Sequence, residues 1–176
     1  MKALQQEYNK ALSGMQGRDI LVIGDMVADI YLDGRISRIS REAPVLVLEQ
    51  AGEKVVSGGA ANVVNNIATL GGKVHAVGLV GSDKSADGLR AILAKNGADV
   101  RGLIADDSRP TISKTRIIAG GRATVSQQIV RIDRESKAPM APAVEAELRA
   151  YIESVLPTVE GVVLSDYGSG TVTEGL

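Results

Sequence analysis

With 176 residues, 20 lysines and arginines against 21 aspartates and glutamates, and a formal net charge of -1, the chain suffices for one domain with a real core, or for part of a larger one. That balance excludes a general electrostatic attraction to nucleic acid or an anionic membrane, and the absence of cysteine excludes disulfides and thiolate metal sites. No tryptophan or phenylalanine and only four tyrosines leave little for base stacking, so small-molecule partners in a reducing cytoplasm are expected, with no nucleic acid and no membrane.

The opening residues, MKALQQEYNKALSGMQG, predict a short amphipathic helix; they lack the apolar segment of a signal peptide, and no later window is apolar enough to span a bilayer. DILVIGD is an apolar run ending in Gly24 and Asp25, the pattern of a buried central strand feeding a loop. DIYLDGRISRISREAPVLVLEQAGEKVV alternates polar with apolar residues around an Asp-Gly turn signal and predicts a hairpin. In VVSGGAANVVNNIATLGG, residues 55–72, Ala61, Val64, Ile67, Ala68 and Gly71 recur at helical spacing. Asn62, Asn65 and Asn66 are poor helix formers there. Either Ser57 or Gly58 simply caps this helix and Gly71 and Gly72 stop it, or its free N–H groups hold a ligand; the local pattern leaves both open.

KVHAVGLVG reads as the next strand, SADGLRAILAKNG as a helix stopped by Gly97, PAVEAELRAYIESVL as a helix and VEGVVLSD as another buried strand. PTISKTRIIAGGRATVSQQIVRIDRE alternates like the first hairpin and carries a Gly-Gly turn signal. The order predicts a layered α/β fold with a mostly parallel sheet, and a second, antiparallel sheet inserted between its elements as a lid, a dimer surface or both.

GxxxxGK[ST] is absent, VIGDMVAD lacks the G-x-G-x-x-G spacing, and DYGSGTVTEG has its glycines at the wrong spacing for either. His75, alone in an apolar strand, reads as structural, and any metal is expected to arrive with a nucleotide. Polar residues instead gather at the ends of apolar elements: Asp25 and Asp29, Asn62, and Ser165, Asp166 and Tyr167. In an open α/β sheet such positions converge at the carboxyl edge, and carboxylates and amides there suit a polyhydroxyl, sugar-like ligand.

GGAANVVNNIATLGGKVHAVGLVG, residues 58–81, resembles the N-terminal signature of the ribokinase-like (PfkB-type) carbohydrate kinases, with Val64 departing from the small residue usual there. SRISREAPV, SGGAAN, PTISKTRI, IVRIDRE and LSDYG follow in the order seen in that family's heptose 7-phosphate kinases, which often form the first domain of a bifunctional ADP-heptose synthase serving lipopolysaccharide core assembly. The resemblance covers nearly all of the chain from Asp19 onward.

The resemblance implies a three-layer α/β/α core with a small antiparallel β lid, formed by segments near residues 30–56 and 111–134, that commonly pairs between subunits as a homodimer. It implies that Asp29, Gly58, Gly59 and Asn62 bind sugar hydroxyls, with Asp166 and Tyr167 near the same pocket. Arg38, Lys114, Arg116 and Arg131 are the basic residues of the matching blocks and the candidates for the sugar's phosphate, unless they merely solvate a strand face. Ser169 stands where the family usually has lysine. In the family, a G-A-G-D-like loop with the aspartate base, and the contacts to ATP and Mg2+, belong to a C-terminal half. The catalytic base is thus expected beyond Leu176, residues 1–176 are expected to carry the sugar side and the lid without activity of their own, and no metal ligand is expected among them. The complete enzyme would move the γ-phosphoryl group of ATP to the anomeric hydroxyl of D-glycero-β-D-manno-heptose 7-phosphate. The alternatives are another PfkB-type sugar or nucleoside kinase, or a non-catalytic sugar-phosphate-binding or dimerisation module.

Overall fold

The computed structural model describes residues 2–120 and 125–176. Helix α1 (Lys2–Met15) leads into strand β1 (Asp19–Gly24), then β2 (Met26–Ile39), β3 (Leu46–Gly59), α2 (Ala60–Thr69), β4 (Lys73–Val80), α3 (Lys84–Lys95), β5 (Asp99–Ala105), β6 (Ser113–Gly120), β7 (Gln127–Arg134), α4 (Pro142–Val155) and β8 (Gly161–Ser165).

Four strands make a parallel core sheet in the order β5-β4-β1-β8. Because side chains alternate across a strand, β1 feeds two layers. Val22 packs with Val64 of α2 and Leu89 and Leu93 of α3 on one face. Leu21 and Ile23 pack with Leu148 and Ile152 of α4 on the other. Each fully buried aliphatic side chain of this kind contributes about 1.5–3 kcal/mol. Asp83 caps α3 through a hydrogen bond from the Ala86 N–H (3.0 Å), and Gly97 (φ 87°) turns the chain after it. Gly71 (φ 87°) does the same after α2, as its spacing predicts.

Two elements of the core depart from expectation. DVRGLIA forms β5, although Asp99 and Arg101 interrupt its apolar pattern and only Gly102, Leu103 and Ile104 are buried. β8, expected as a buried strand, lies at the edge of the sheet among the described residues, so Val162 (45 %) and Leu164 (63 %) are exposed.

The second sheet has the order β3-β2-β6-β7. It is mixed rather than antiparallel: β2 with β3 and β6 with β7 are antiparallel, but β2 and β6 run parallel. The reason is topological. β2 leaves the core from the carboxyl end of β1, and β6 leaves it after β5, from the same edge, so the two enter the second sheet in one direction. The Asp33-Gly34 pair is not the hairpin turn; it is a register shift within β2, and the chain reverses at residues 40–45, where the Ser40 N–H donates to the Val45 carbonyl (2.8 Å). Of the Gly-Gly signal, Gly120 ends β6 and Gly121 lies outside the described residues.

The two sheets are joined tightly. Asp25 alone separates β1 from β2, and β3 runs into α2 with no residue between. The sharp change at that second junction falls on Gly59, at φ 54° and ψ -134°, where a Cβ would meet the Asp25 carbonyl oxygen at 2.5 Å.

Candidate functional site

The strands on either side of β1 are reached by connections of opposite sense, β4 on one side and β8 on the other. This is a topological switch point, and its crevice opens at the carboxyl ends of β1 and β8. Five elements converge there. β1 delivers Asp25 and β8 delivers Ser165 and Asp166. α2 points its N-terminus at the crevice, and β2 and β3 rise from it into the lid.

The N-cap of α2 is Gly59, not Ser57 or Gly58, and it makes no side-chain capping bond. Ser57 is instead buried within β3. Asn62, in the first turn, is exposed and has no side-chain hydrogen bond among the described residues. The positive end of α2 therefore points at the crevice, with the exposed Asn62 amide in its first turn.

Asp29 sits four residues up β2 from Asp25. It is in register with Val56 of β3 and Lys114 of β6, and its neighbour two along, Tyr31, is in register with Lys54 and Arg116. Alternation puts Gly58, Asp29, Tyr31, Lys54, Lys114 and Arg116 on one face of the second sheet. The Arg116 guanidinium donates to the Asp29 carboxylate and to the Lys114 carbonyl (3.4 Å) and lies 5.4 Å from the centre of the Tyr31 ring. Its hydrogen bond to Asp29 holds the Arg116 pKa above the ordinary guanidinium value despite partial burial. Gly58 lacks a side chain where one would overlap the Asp29 carboxyl group. A concavity of about 330 Å3 lined by Tyr31, Asp33, Lys54 and Val56 continues this face outward.

Arg131 is in register with Arg116 on β7, but it is half exposed and forks onto Asp133 (2.9 and 3.0 Å). Arg38 is not brought to the site within one chain: it lies nine residues beyond Asp29 near the hairpin tip, roughly 30 Å along the strand. There it lines a polar concavity with Ser40, Arg41 and Glu42. Asp166 and Tyr167 follow β8 and are exposed, and Asp166 accepts a hydrogen bond from the Gly168 N–H (2.8 Å).

Two features were not legible in the sequence: the burial of Asp25, read there among the polar residues suited to a ligand, and a side-chain lock. Asp25 is wholly buried, and its carboxylate accepts backbone N–H bonds from Tyr167, Ser169 and Thr171, so it is spent inside the protein. The alternating glycines of DYGSGT were the available signal. The second is a buried lock where the chain passes from the core sheet to the second sheet. Asp106 pairs with Arg109 (2.7 Å), whose guanidinium also donates to the carbonyls of Ala138 (3.1 Å) and Pro139 (3.0 Å), on the return path from β7. Ser108 donates to the Asp106 carboxylate through its hydroxyl (2.6 Å) and N–H (2.9 Å), and with Arg109 these bonds outweigh burial and hold that carboxyl below the ordinary range. Asp83 closes the same region, accepting from the Thr111 N–H (3.0 Å).

His75 lies at the opposite edge of the core sheet. Its Nε2 is 3.4 Å from Asp19 and its Nδ1 3.4 Å from Asp99, carboxylates that no sequence spacing foreshadowed. Among the described residues, no three histidine, cysteine or carboxylate groups gather to hold a metal ion, and no helix is long and apolar enough to cross a membrane.

Residues 18–165 match the model of the pfkB family of carbohydrate kinases. The chain is 41 % identical over 157 residues to the bifunctional protein HldE of Desulfatibacillum aliphaticivorans and 44 % identical over 166 residues to that of Azorhizobium caulinodans. These matches cover 89 % and 94 % of this chain but only 31 % and 34 % of the relatives, so the chain spans about a third of their length. Among solved structures, a carbohydrate kinase from Agrobacterium tumefaciens superposes with a TM-score of 0.59 at 18 % identity, over 84 % of this chain and 45 % of its own. Phosphofructokinase-2 from Escherichia coli does so with a TM-score of 0.57 at 19 % identity, over 89 % of this chain and 47 % of its own. At such identities the likeness is one of fold.

Proposed function

Since this chain belongs to the pfkB family of carbohydrate kinases, we propose that it carries the acceptor side of an ATP-dependent sugar kinase, with heptose 7-phosphate as the sugar. The observation that carries the reading is the meeting of Asp29, Lys114 and Arg116, from strands far apart in sequence, beside the open N-terminus of α2 with its free Asn62. Carboxylate and amide grip vicinal hydroxyls, and the lysine and arginine beside them offer charge to a phosphate that the sugar already bears. The heptose assignment rests on the ordered sequence blocks and on curated relatives named HldE.

In this reading Asp29, Gly58, Gly59 and Asn62 hold and orient the sugar, Asp166 and Tyr167 border it, and the lid face excludes water from its anomeric hydroxyl. Lys114 and Arg116 are the nearer candidates for the 7-phosphate. Arg131 reaches it only by releasing Asp133, and Arg38 reaches it only from another copy. ATP, with Mg2+, supplies the γ-phosphoryl group that would give the 1,7-bisphosphate; no described residue is given a part in holding either. We further propose that two copies pair through their lids, since β7 is exposed at all eight positions and shows Ile129, Val130 and Ile132 to solvent. A reducing cytoplasm, where sugar phosphates and ATP are made, suits a chain without cysteine.

Isothermal titration of the chain with heptose 7-phosphate, with fructose 6-phosphate and ribose as competitors, tests the reading. Heptose-selective binding that Asn62→Ala weakens supports it. Well-folded protein that prefers ribose moves the chain to another substrate within the family.

A further inference from the structure

Between Asp166 and Thr171 the chain alternates ordinary backbone with two left-handed glycines, Gly168 (φ 76°) and Gly170 (φ 87°). That alternation turns the N–H groups of Tyr167, Ser169 and Thr171 toward one point. Successive amides aimed this way form a nest, a concavity that binds anions. Here the anion belongs to the chain. Asp25 Oδ2 accepts from Tyr167 (2.8 Å) and Ser169 (3.1 Å), and Oδ1 accepts from Thr171 (3.2 Å). Asp25 has no exposed surface, and a carboxylate so buried persists only where such donors replace its water.

The main chain of Asp25 is engaged as well. Its N–H donates to the Ser165 carbonyl (3.1 Å), and its carbonyl accepts from the N–H of Ala60 (3.0 Å), the first residue of α2. One residue thus touches the end of β8, the loop beyond it and the start of α2.

We infer, on the kinase reading above, that Asp25 is a positioning residue for the sugar site. It is a built-in anion that fills the nest at residues 167–171 and so fixes the loop bearing Asp166 and Tyr167 against the helix start bearing Asn62. The nest is therefore closed to a phosphate of either substrate.

The test is amide hydrogen exchange by NMR together with titration of heptose 7-phosphate, in the unaltered chain and in Asp25→Asn. Asparagine keeps the size but turns an N–H2 toward amides that need an acceptor. The Tyr167, Ser169 and Thr171 amides are expected to exchange at least about tenfold faster in the variant. Amides of α4 should keep their protection, and sugar affinity should fall about 10- to 100-fold, as loss of orientation demands. Equal affinity in parent and variant overturns the inference, as does a parent in which those three amides exchange as fast as that of Gly170. The second criterion needs no variant and so survives a variant that does not fold. A parent that binds none of heptose 7-phosphate, fructose 6-phosphate and ribose overturns the proposal that this chain alone carries the sugar site, a result separate from either.

Discussion

Arg116 and Asp29 form an ion pair between adjacent strands of the second sheet although 87 residues separate them in the chain. Each is about a fifth exposed, so the pair is shielded but open to a ligand on one side. Asp29→Asn leaves the guanidinium without its counter-charge and removes an acceptor for hydroxyls. Sugar affinity is expected to drop at least about tenfold, and stability by about 1–3 kcal/mol in urea unfolding. Unchanged affinity would put Asp29 outside the sugar site.

Gly59→Ala forces a Cβ into the left-handed region, at a cost of about 1–2 kcal/mol before any clash with the Asp25 carbonyl or Val27. The strain falls where the lid meets α2, so the variant should lose both thermal stability and sugar binding. Gly97→Ala supplies the control: it too puts a Cβ at positive φ (87°), with nothing within 4 Å of a built Cβ, far from the crevice. It should lose stability alone.

Arg109→Ala strands the buried carboxylate of Asp106 and two loop carbonyls. A loss of about 3–5 kcal/mol is expected, read as a lowered midpoint in chemical unfolding. A loss below about 1 kcal/mol would mean that the core-to-lid passage is held by other contacts.

Acid should weaken the same lock. The Asp106 carboxyl is held below its ordinary value of 3.8, so its folded state favours the ionised form. That contribution is complete above pH 3.8 and disappears as pH falls through the lowered folded value. The stability difference between parent and Asp106→Asn should therefore shrink below pH 3.8 and stay constant above pH 5 or so. A difference that grows on acidification contradicts the sign.

If two lids pair, sedimentation equilibrium will show a concentration-dependent dimer, and Ile132→Lys, on the exposed β7 edge, will shift it to monomer. A parent that is monomeric at high concentration excludes pairing of lids in this chain.

Most core elements were legible because their signals are local. β1, α2, β4 and α3 each couple an apolar run to glycines that end it, and Gly71 and Gly97 fall where the spacing puts them. β5 was not legible, since its buried part is only Gly102, Leu103 and Ile104 between charged neighbours. The parallel pairing of β2 with β6 could not be read either, because it depends on where the intervening β4, α3 and β5 return the chain. Asp33-Gly34 misled as a turn because a register shift inside a long strand uses the same residues. For the site, Asp29, Gly58 and Asn62 stood out as polar residues and glycines ending apolar runs. Tyr31 and Lys54 did not, although two-residue alternation from Asp29 reaches Tyr31. The partner of each cation was set by strand register, which is why Arg116 and Arg131, alike in sequence, have different neighbours.

The junctions at Asp25 and at Gly59 with Ala60 leave no slack between the two sheets. At these two of its four connections to the core, any tilt of the second sheet is taken up in residues that border the crevice; the other two connections run through residues 106–112 and 135–141. On the proposed reading, gripping a ligand and setting the angle of the second sheet are one mechanical event, in which a sugar pulling on Asp29 also pulls on the start of α2.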